Sequence, residues 1–391
     1  LRSFVRLLDI LAQDYDVALM NPPYGSRNRM PDSVKEYIDE HYRYPAEFYV
    51  SFFEVCDGLV NTDGRIGMLV PRTFMFKARA EKFRSDFIGG EGSFDFLAEF
   101  GLGILDNATV RTAGTVVRSG VDPNASGEFI RLYDVETEDK EETFTSVLSG
   151  IDSPVKRLFE VDLNSFSKVP GSTICYSIPE EVRKLHSREL KLDTEVGDIE
   201  GNSLGYARQG VATTNDFRFM RFHWEVEDYD VFNPIATGGS DAWILPQILE
   251  TVEWRESGRR IRRYSNTVRT PNEFLYGREG LVWTRSKETG RRFGYYPSGG
   301  LFSQTGYFFV PDDPEILWQS LAALNSDLYH GLFLSLTVER DWVGGIVGKA
   351  PWISELESDG KLGELAKEQL NIMSSLKTSD PTSPYYVAPD L

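Results

Sequence analysis

Asn21-Pro22-Pro23-Tyr24 is the segment of this sequence whose residue types and order point most directly to chemistry. It follows an apolar run, Tyr15-Asp16-Val17-Ala18-Leu19-Met20, that reads as a buried strand entering a tight turn. Two prolines remove two backbone donors and stiffen the turn, so its backbone offers carbonyl acceptors. The Asn side chain adds an amide oxygen acceptor, and the Tyr ring adds a flat stacking face. Together these suit an aromatic ring carrying an exocyclic amino group: a base whose NH2 is to be modified. The alternative is a purely structural turn in which Asn caps and the prolines stiffen.

Such a corner needs rigid elements on both sides. Over residues 1–120, apolar runs alternate with helical repeats, the mark of an α/β sheet. Residues 16–20 read as a strand and 21–44 as a polar loop with a short helix. From 46 to 59, Phe48, Phe52, Val55 and Leu59 fall on one helical stripe. Asn61-Thr62-Asp63-Gly64 reads as a turn, Arg65–Pro71 as the next strand and Phe76–Ile88 as a helix. Phe94–Phe100 and Ala108–Val117 read as strands that form an antiparallel pair closing the sheet edge. Residues 121–199 are less regular, with a strand-like 128–135 and a charged, solvated 136–142, and read as a connector. From 200 to 391, short aromatic strands alternate with Gly-rich turns, followed by a helix pair over 315–324 and 326–334. In the aromatic run Tyr295-Tyr296 and Tyr307-Phe308-Phe309, strand core outweighs stacking on bases as the reading.

The 391 residues carry a net charge of −18, unevenly spread. Residues 1–150 hold 16 basic and 25 acidic groups, whereas Trp254–Arg292 holds 11 basic and 4 acidic. The acid is general and the base is concentrated. Lys supplies only 13 of the 42 basic residues, and an acid-rich, Lys-poor composition fits a high-salt cytoplasm. Two cysteines, Cys56 and Cys175, are too few for a disulfide framework or a zinc site; with four histidines they point to a reduced, cytoplasmic protein without structural metal. No run approaches the roughly 18 apolar residues of a membrane span, so no membrane partner is expected.

Strand, Asn-Pro-Pro-Tyr, helix, turn, then Gly64-Arg65-Ile66-Gly67-Met68-Leu69-Val70-Pro71 resembles the second half of the catalytic domain of N6-adenine DNA methyltransferases. Downstream, Ala207–Asp216 with Arg218-Phe219, Leu281–Ser286 and Ala323-Leu324-Asn325-Ser326 are similar to the target-recognition domain of fused methyltransferases. Those include type IIG restriction-modification enzymes and the PglX methyltransferases of BREX phage-exclusion systems; the acidic composition fits a haloarchaeal PglX-like protein. The resemblance implies a partial Rossmann-like sheet over 1–120 and a mixed α+β target-recognition domain over 200–391. It implies S-adenosyl-L-methionine as cofactor, double-stranded DNA as partner and other phage-defence proteins as further partners. The family's Gly-rich cofactor loop precedes the motif and has no match before Asn21, so the sequence reads as the carboxy-terminal part of something longer, inactive by itself. Glu47 and Phe48 are the cofactor candidates that position in the fold suggests. Leu105-Asp106-Asn107 stand where some relatives place a second stacking aromatic.

On this resemblance Asn21, Pro22, Pro23 and Tyr24 are catalytic: they grip an adenine flipped from its duplex. The basic stretch supplies phosphate contacts, led by Arg255, Arg259, Arg260, Arg262, Arg263, Arg291 and Arg292. Arg218, Arg221, Arg269 and Arg285 suit phosphate or base-edge contact. The bland reading is an exposed charged helix face over 256–263, with ion pairs to its acidic surroundings. A competing function is a DNA-recognition module that does no chemistry without an amino-terminal partner supplying the cofactor site; less favoured is an unrelated α/β enzyme of a small substrate.

Overall fold

Pro22 and Pro23 end the first strand, β1 (Tyr15–Met20), because neither can donate to a ladder. The computed structural model describes all residues except 1, 26, 46, 106–108, 121, 123–124, 152–153, 239–243, 287–292, 338–340 and 386–391. These fall into two compact units, 1–184 and 185–391.

The first unit is built on a six-stranded sheet. Its strands are β1, β2 (Val60–Pro71), β3 (Gly92–Gly101), β4 (Thr112–Ser119), β5 (Ser126–Arg131) and β6 (Leu158–Asp162), in the order β1-β2-β4-β3-β5-β6. β1 and β2 run parallel, as do β3 and β5, while β4 is antiparallel to both of its neighbours. Helices α1 (Arg2–Leu11), α2 (Asp32–His41), α3 (Phe48–Asp57) and α4 (Lys140–Leu148) accompany the sheet. A core of phenylalanines, Phe53, Phe74, Phe83, Phe87, Phe94 and Phe129, is fully buried in this unit.

Several expectations are corrected. β1 is an edge strand and not a buried one: Val17 and Leu19 are exposed, Leu19 at 80%. Leu7, Leu8 and Leu11 of α1 are exposed as well. Asn61–Gly64 lies within β2, where a register shift opposite Tyr15–Val17 and a positive φ at Asp63 absorb what the sequence presents as a turn. In α3 the buried face is Tyr49, Val50, Phe53 and Cys56, while Phe48, Phe52 and Val55 are half-buried. That helix is apolar nearly all round, so periodicity alone cannot choose its inner face. Phe76–Ile88 is not one helix but a short turn, Ala78–Ala80, and a wider π-type helix, Phe83–Glu91. β3 and β4 pair antiparallel but do not close the sheet, because β5 and β6 continue it. The expected connector at 121–199 is therefore largely sheet and helix of this unit, and the charged run at 136–142 enters α4.

The second unit holds two four-stranded sheets. One joins Met220–Phe222, Glu250–Glu253, Phe232–Ala236 and Leu301–Phe302; the other joins Phe293–Tyr296, Gly280–Thr284, Gly306–Pro311 and Gly205–Arg208. Tyr296, Tyr307, Phe308 and Phe309 are buried, as strand core requires, and Tyr295 stacks on Trp318. Helices Leu317–Leu324 and Asp327–Leu336 form the expected pair. Asn325, buried between them, donates to the Phe293 carbonyl at 2.8 Å and so ties the helix end to a strand. No helix among the described residues is long and apolar enough to cross a membrane.

His186 gives this unit a pH dependence. It is buried, shares a 2.6 Å hydrogen bond with Ser335 Oγ, and burial followed by the nearby Lys191 ammonium holds its pKa down to about 3 from the usual 6.5. An unfolded chain takes up a proton there below about pH 6.5, whereas the folded chain stays neutral to about 3. Stability is complete above that window and falls with pH inside it, by about 1.4 kcal/mol per pH unit. Denaturant unfolding followed between pH 7 and 4.5 checks this, and His186→Gln is expected to flatten the slope.

Candidate functional site

The motif stands just past the carboxyl end of β1, beside the parallel strand β2, the position where open α/β sheets present ligands. Pro22 is buried and Asn21 and Pro23 are exposed. Among the described residues, the Asn21 carboxamide makes no hydrogen bond and the carbonyls of Asn21, Pro22 and Pro23 accept none. Tyr24 is fixed instead. Its hydroxyl donates to the Leu69 carbonyl of β2 at 2.8 Å, and burial pushes its pKa up, so it stays a donor. The ring is half-buried and held in one orientation.

The segment after the motif is latched. Glu47, buried at the start of α3, accepts from Arg79 Nη1 at 2.8 Å through one oxygen and from the Arg27 backbone N–H at 3.4 Å through the other. Arg27 in turn reaches the Pro45 carbonyl at 3.0 Å and the Asp39 carboxylate at 2.5 Å. Both Glu47 oxygens are thus engaged in positioning the loop. Phe48 lies beside the motif, since a Cβ built on Gly25 would stand 4.0 Å from Phe48 Cβ, and its ring packs edge-on against Phe52. Of the two cofactor candidates only Phe48 retains a surface to offer, so these residues alone do not make a cofactor cradle. Arg27 and Arg79 carry no sequence signal, because the contacts that give them a role span 20 and 32 positions. Asp106 and Asn107 lie outside the described residues.

In the second unit the expected DNA-contacting arginines divide into groups. Arg218, Arg255, Arg259, Arg260 and Arg263 line one groove of about 580 Å³, with Phe219, Tyr264, Glu253 and Glu256. Arg259 pairs with Glu256 at 2.8 Å and Arg260 with Glu253 at 2.9 Å. Arg218, Arg255 and Arg263 have no carboxylate partner among the described residues, and Arg218 lies over the Tyr264 ring at 5.1 Å. Arg262 is turned away from the groove into structure, bonded to Glu273 at 2.6 Å and to Thr270 at 2.7 Å. Arg221 donates to the Phe217 and Met220 carbonyls, Arg269 to the Asn266 and Val268 carbonyls, and Arg285 lies 3.9 Å from Asp341. Arg291 and Arg292 lie outside the described residues.

The segment bearing these arginines is not a plain charged helix. Glu256, Ser257 and Gly258 all have positive φ, a left-handed turn preceding the right-handed one. At Gly258 a Cβ would come within 2.6 Å of the Trp254 ring, so only glycine fits. This reversal lets Arg255, before it, and Arg259, Arg260 and Arg263, after it, line the same groove. Tyr264 was not singled out from the sequence, although it directly follows the arginine run.

The sequence model of the Eco57I restriction-modification methylase family matches residues 4–100. Over 382 residues the chain is 22% identical to the adenine-specific methyltransferase PglX of Lacticaseibacillus casei (strain Zhang), covering 90% of this chain and 30% of that protein. It is 23% identical to the adenine-specific methyltransferase BrxX of Escherichia coli O9:H4 (strain HS), covering 93% of this chain and 29% of that one. The chain thus spans less than a third of the length of these relatives. Among solved structures, the type IIL restriction-modification enzyme MmeI in complex with DNA has a similar fold, with a TM-score of 0.52 at 10% identity over 93% of this chain and 50% of that one. The fold is accordingly α/β in the first unit and mixed α+β in the second.

Proposed function

We propose that this chain forms part of an adenine-specific DNA methyltransferase that transfers a methyl group from S-adenosyl-L-methionine to N6 of a flipped adenine, in phage defence of the BREX type or in restriction-modification. Residues 1–184 carry the catalytic corner and 185–391 the target-recognition part. The acid-rich composition suits a haloarchaeal host. The observation that carries this reading is the corner itself: a carboxamide and carbonyls with no hydrogen-bond partner among the described residues, beside a ring locked by its hydroxyl, at the carboxyl end of a sheet strand. The adenine-specific relatives and the methylase family model support it.

S-adenosyl-L-methionine, when bound, supplies an electrophilic methyl group. This chain's residues orient its target. The Asn21 amide oxygen and the Pro22 carbonyl each accept one N6 hydrogen, and the Tyr24 ring stacks on the purine. Two acceptors on the two N–H bonds leave the nitrogen lone pair directed away from both, which favours attack by orientation rather than by a strong base. The surplus proton on the methylated N6 would pass to water along one of these hydrogen bonds, so the corner needs neither His nor a paired carboxylate. The exposed apolar face of α1 and β1 is where further structure holding the cofactor packs.

Tyr24 tests the reading. Tyr24→Phe keeps the ring and loses a hydrogen bond worth about 1 kcal/mol, so methylation falls a few-fold. Tyr24→Ala removes a stacking partner worth about 1–3 kcal/mol and lowers it roughly 5- to 100-fold. Incorporation of labelled methyl groups into host DNA by the natural protein measures both. If the Phe variant is the weaker of the two, the ring is not the working surface.

A further inference from the structure

Phe217 is the most exposed large apolar side chain among the described residues, at 94%. An isolated exposed phenylalanine is unremarkable on a loose loop. This one sits on a braced turn. Asn215 Oδ1 accepts the Arg218 backbone N–H at 3.1 Å, and Asn215 Nδ2 donates to the Tyr264 hydroxyl at 2.9 Å. Thr213 donates to the Asp216 carboxylate, Thr267 donates to Thr214 Oγ1 at 3.1 Å, and Thr214 is held at a φ of 66°. Arg221 Nη1 clamps the Phe217 carbonyl at 3.0 Å, while Phe219, two residues on, is the buried anchor. The backbone is thus fixed on both sides of a ring that stands in solvent.

The next residue, Arg218, lines the groove with Arg255 and Arg263, and these three have no carboxylate partner among the described residues. Close by in sequence, Phe222 and Trp224 form an exposed stacked pair at 4.7 Å. One partner chemistry answers both features. Guanidinium groups that, among the described residues, have no carboxylate in ion-pair contact and share only the nearby charge of Glu256 suit a polyanion, and a rigid projecting phenyl suits a flat apolar slot. Duplex DNA has phosphates outside and a base stack inside; an acidic peptide has only the charge.

We propose that Phe217 is a wedge that enters the base stack of a duplex whose backbone lies in the Arg218–Arg255–Arg263 groove. The proposal rests on the DNA-methyltransferase reading and adds a residue that distorts the substrate. Insertion of an apolar side chain unstacks a base step at a cost of a few kcal/mol, offset by the contacts that the deformed duplex then makes. A braced turn suits this task because the ring need not be ordered on binding.

The test measures the natural protein's affinity, by fluorescence anisotropy, for a short duplex and for the same duplex with one central abasic site. At the abasic site much of the unstacking is already done, so wild-type protein is expected to bind that duplex roughly tenfold more tightly. Phe217→Ala, at a position too exposed to hold the fold, is expected to bring the two affinities together, and Phe217→Leu to keep part of the preference. Arg255→Ala and Arg263→Ala are expected to weaken binding to both duplexes while keeping their ratio, each lowering the salt slope by about 1. A preference that survives in Phe217→Ala, or is missing from the wild type, overturns the wedge. Failure of the wild type to bind either duplex overturns the DNA reading itself.

Discussion

Asn21→Ala is expected to lower adenine methylation by about 10²–10³-fold, the size of effect seen when one preorganised hydrogen-bonding group is removed from a reacting centre. The reason is local. The carboxamide is exposed and bonds to nothing among the described residues, so its loss costs the fold little. What would disappear, on the proposed function, is an acceptor for one N6 hydrogen, held by two prolines that cannot relax to replace it. Asn21→Asp keeps acceptor oxygens without donors and is expected to retain part of the activity. Modification-sensitive sequencing of host DNA, together with thermal unfolding of each variant, separates chemistry from stability. Wild-type methylation in Asn21→Ala would remove the corner from the mechanism.

Glu99→Ala is expected to destabilise the protein by about 3–5 kcal/mol, because it removes one partner of a buried ion pair. Glu99 on β3 and Arg72, at the end of β2, are each 2% exposed and in direct contact. The other Glu99 oxygen accepts from the Tyr176 hydroxyl, which burial and then the carboxylate charge keep protonated. Arg72 also lies over the Tyr133 ring at 5.4 Å. Removing the carboxylate strips a buried guanidinium of this counter-charge, whereas Glu99→Gln keeps the shape and loses less. Arg72 is only three residues beyond the Leu69 carbonyl that holds Tyr24, so the damage extends toward the motif. Urea unfolding measures the loss; a change below 1 kcal/mol in Glu99→Ala would show that the network contributes little.

What could be read from the sequence was whatever is local. The strand and the proline corner are consecutive, and the loss of two backbone donors there follows from the residue types alone. The helix pair after residue 315 was equally readable, and the structure starts its second helix on Ser326, which accepts from the Tyr329 N–H. Long-range pairing was hidden. Nothing local shows that β4 slips between β2 and β3, or that β5 and β6 extend the sheet across an apparent connector. The arginines show the same divide. Their concentration was visible, but ion pairs such as Arg262–Glu273, and the left-handed turn that sorts groove from scaffold, depend on the fold. Phe217 was missed because a phenylalanine in an aromatic-rich segment ordinarily signals core.

The groove brings together five arginines and two glutamates in a chain that elsewhere has a marked excess of acid. Under the proposed function, a duplex drifting toward the acidic surface would be turned back, and in dilute salt that repulsion would reach farthest. On that reading, encounters that succeed would be those entering at the arginine inlet, so orientation would be selected before any base is read. The same distribution of charge would then suppress idle attachment to random stretches of a genome.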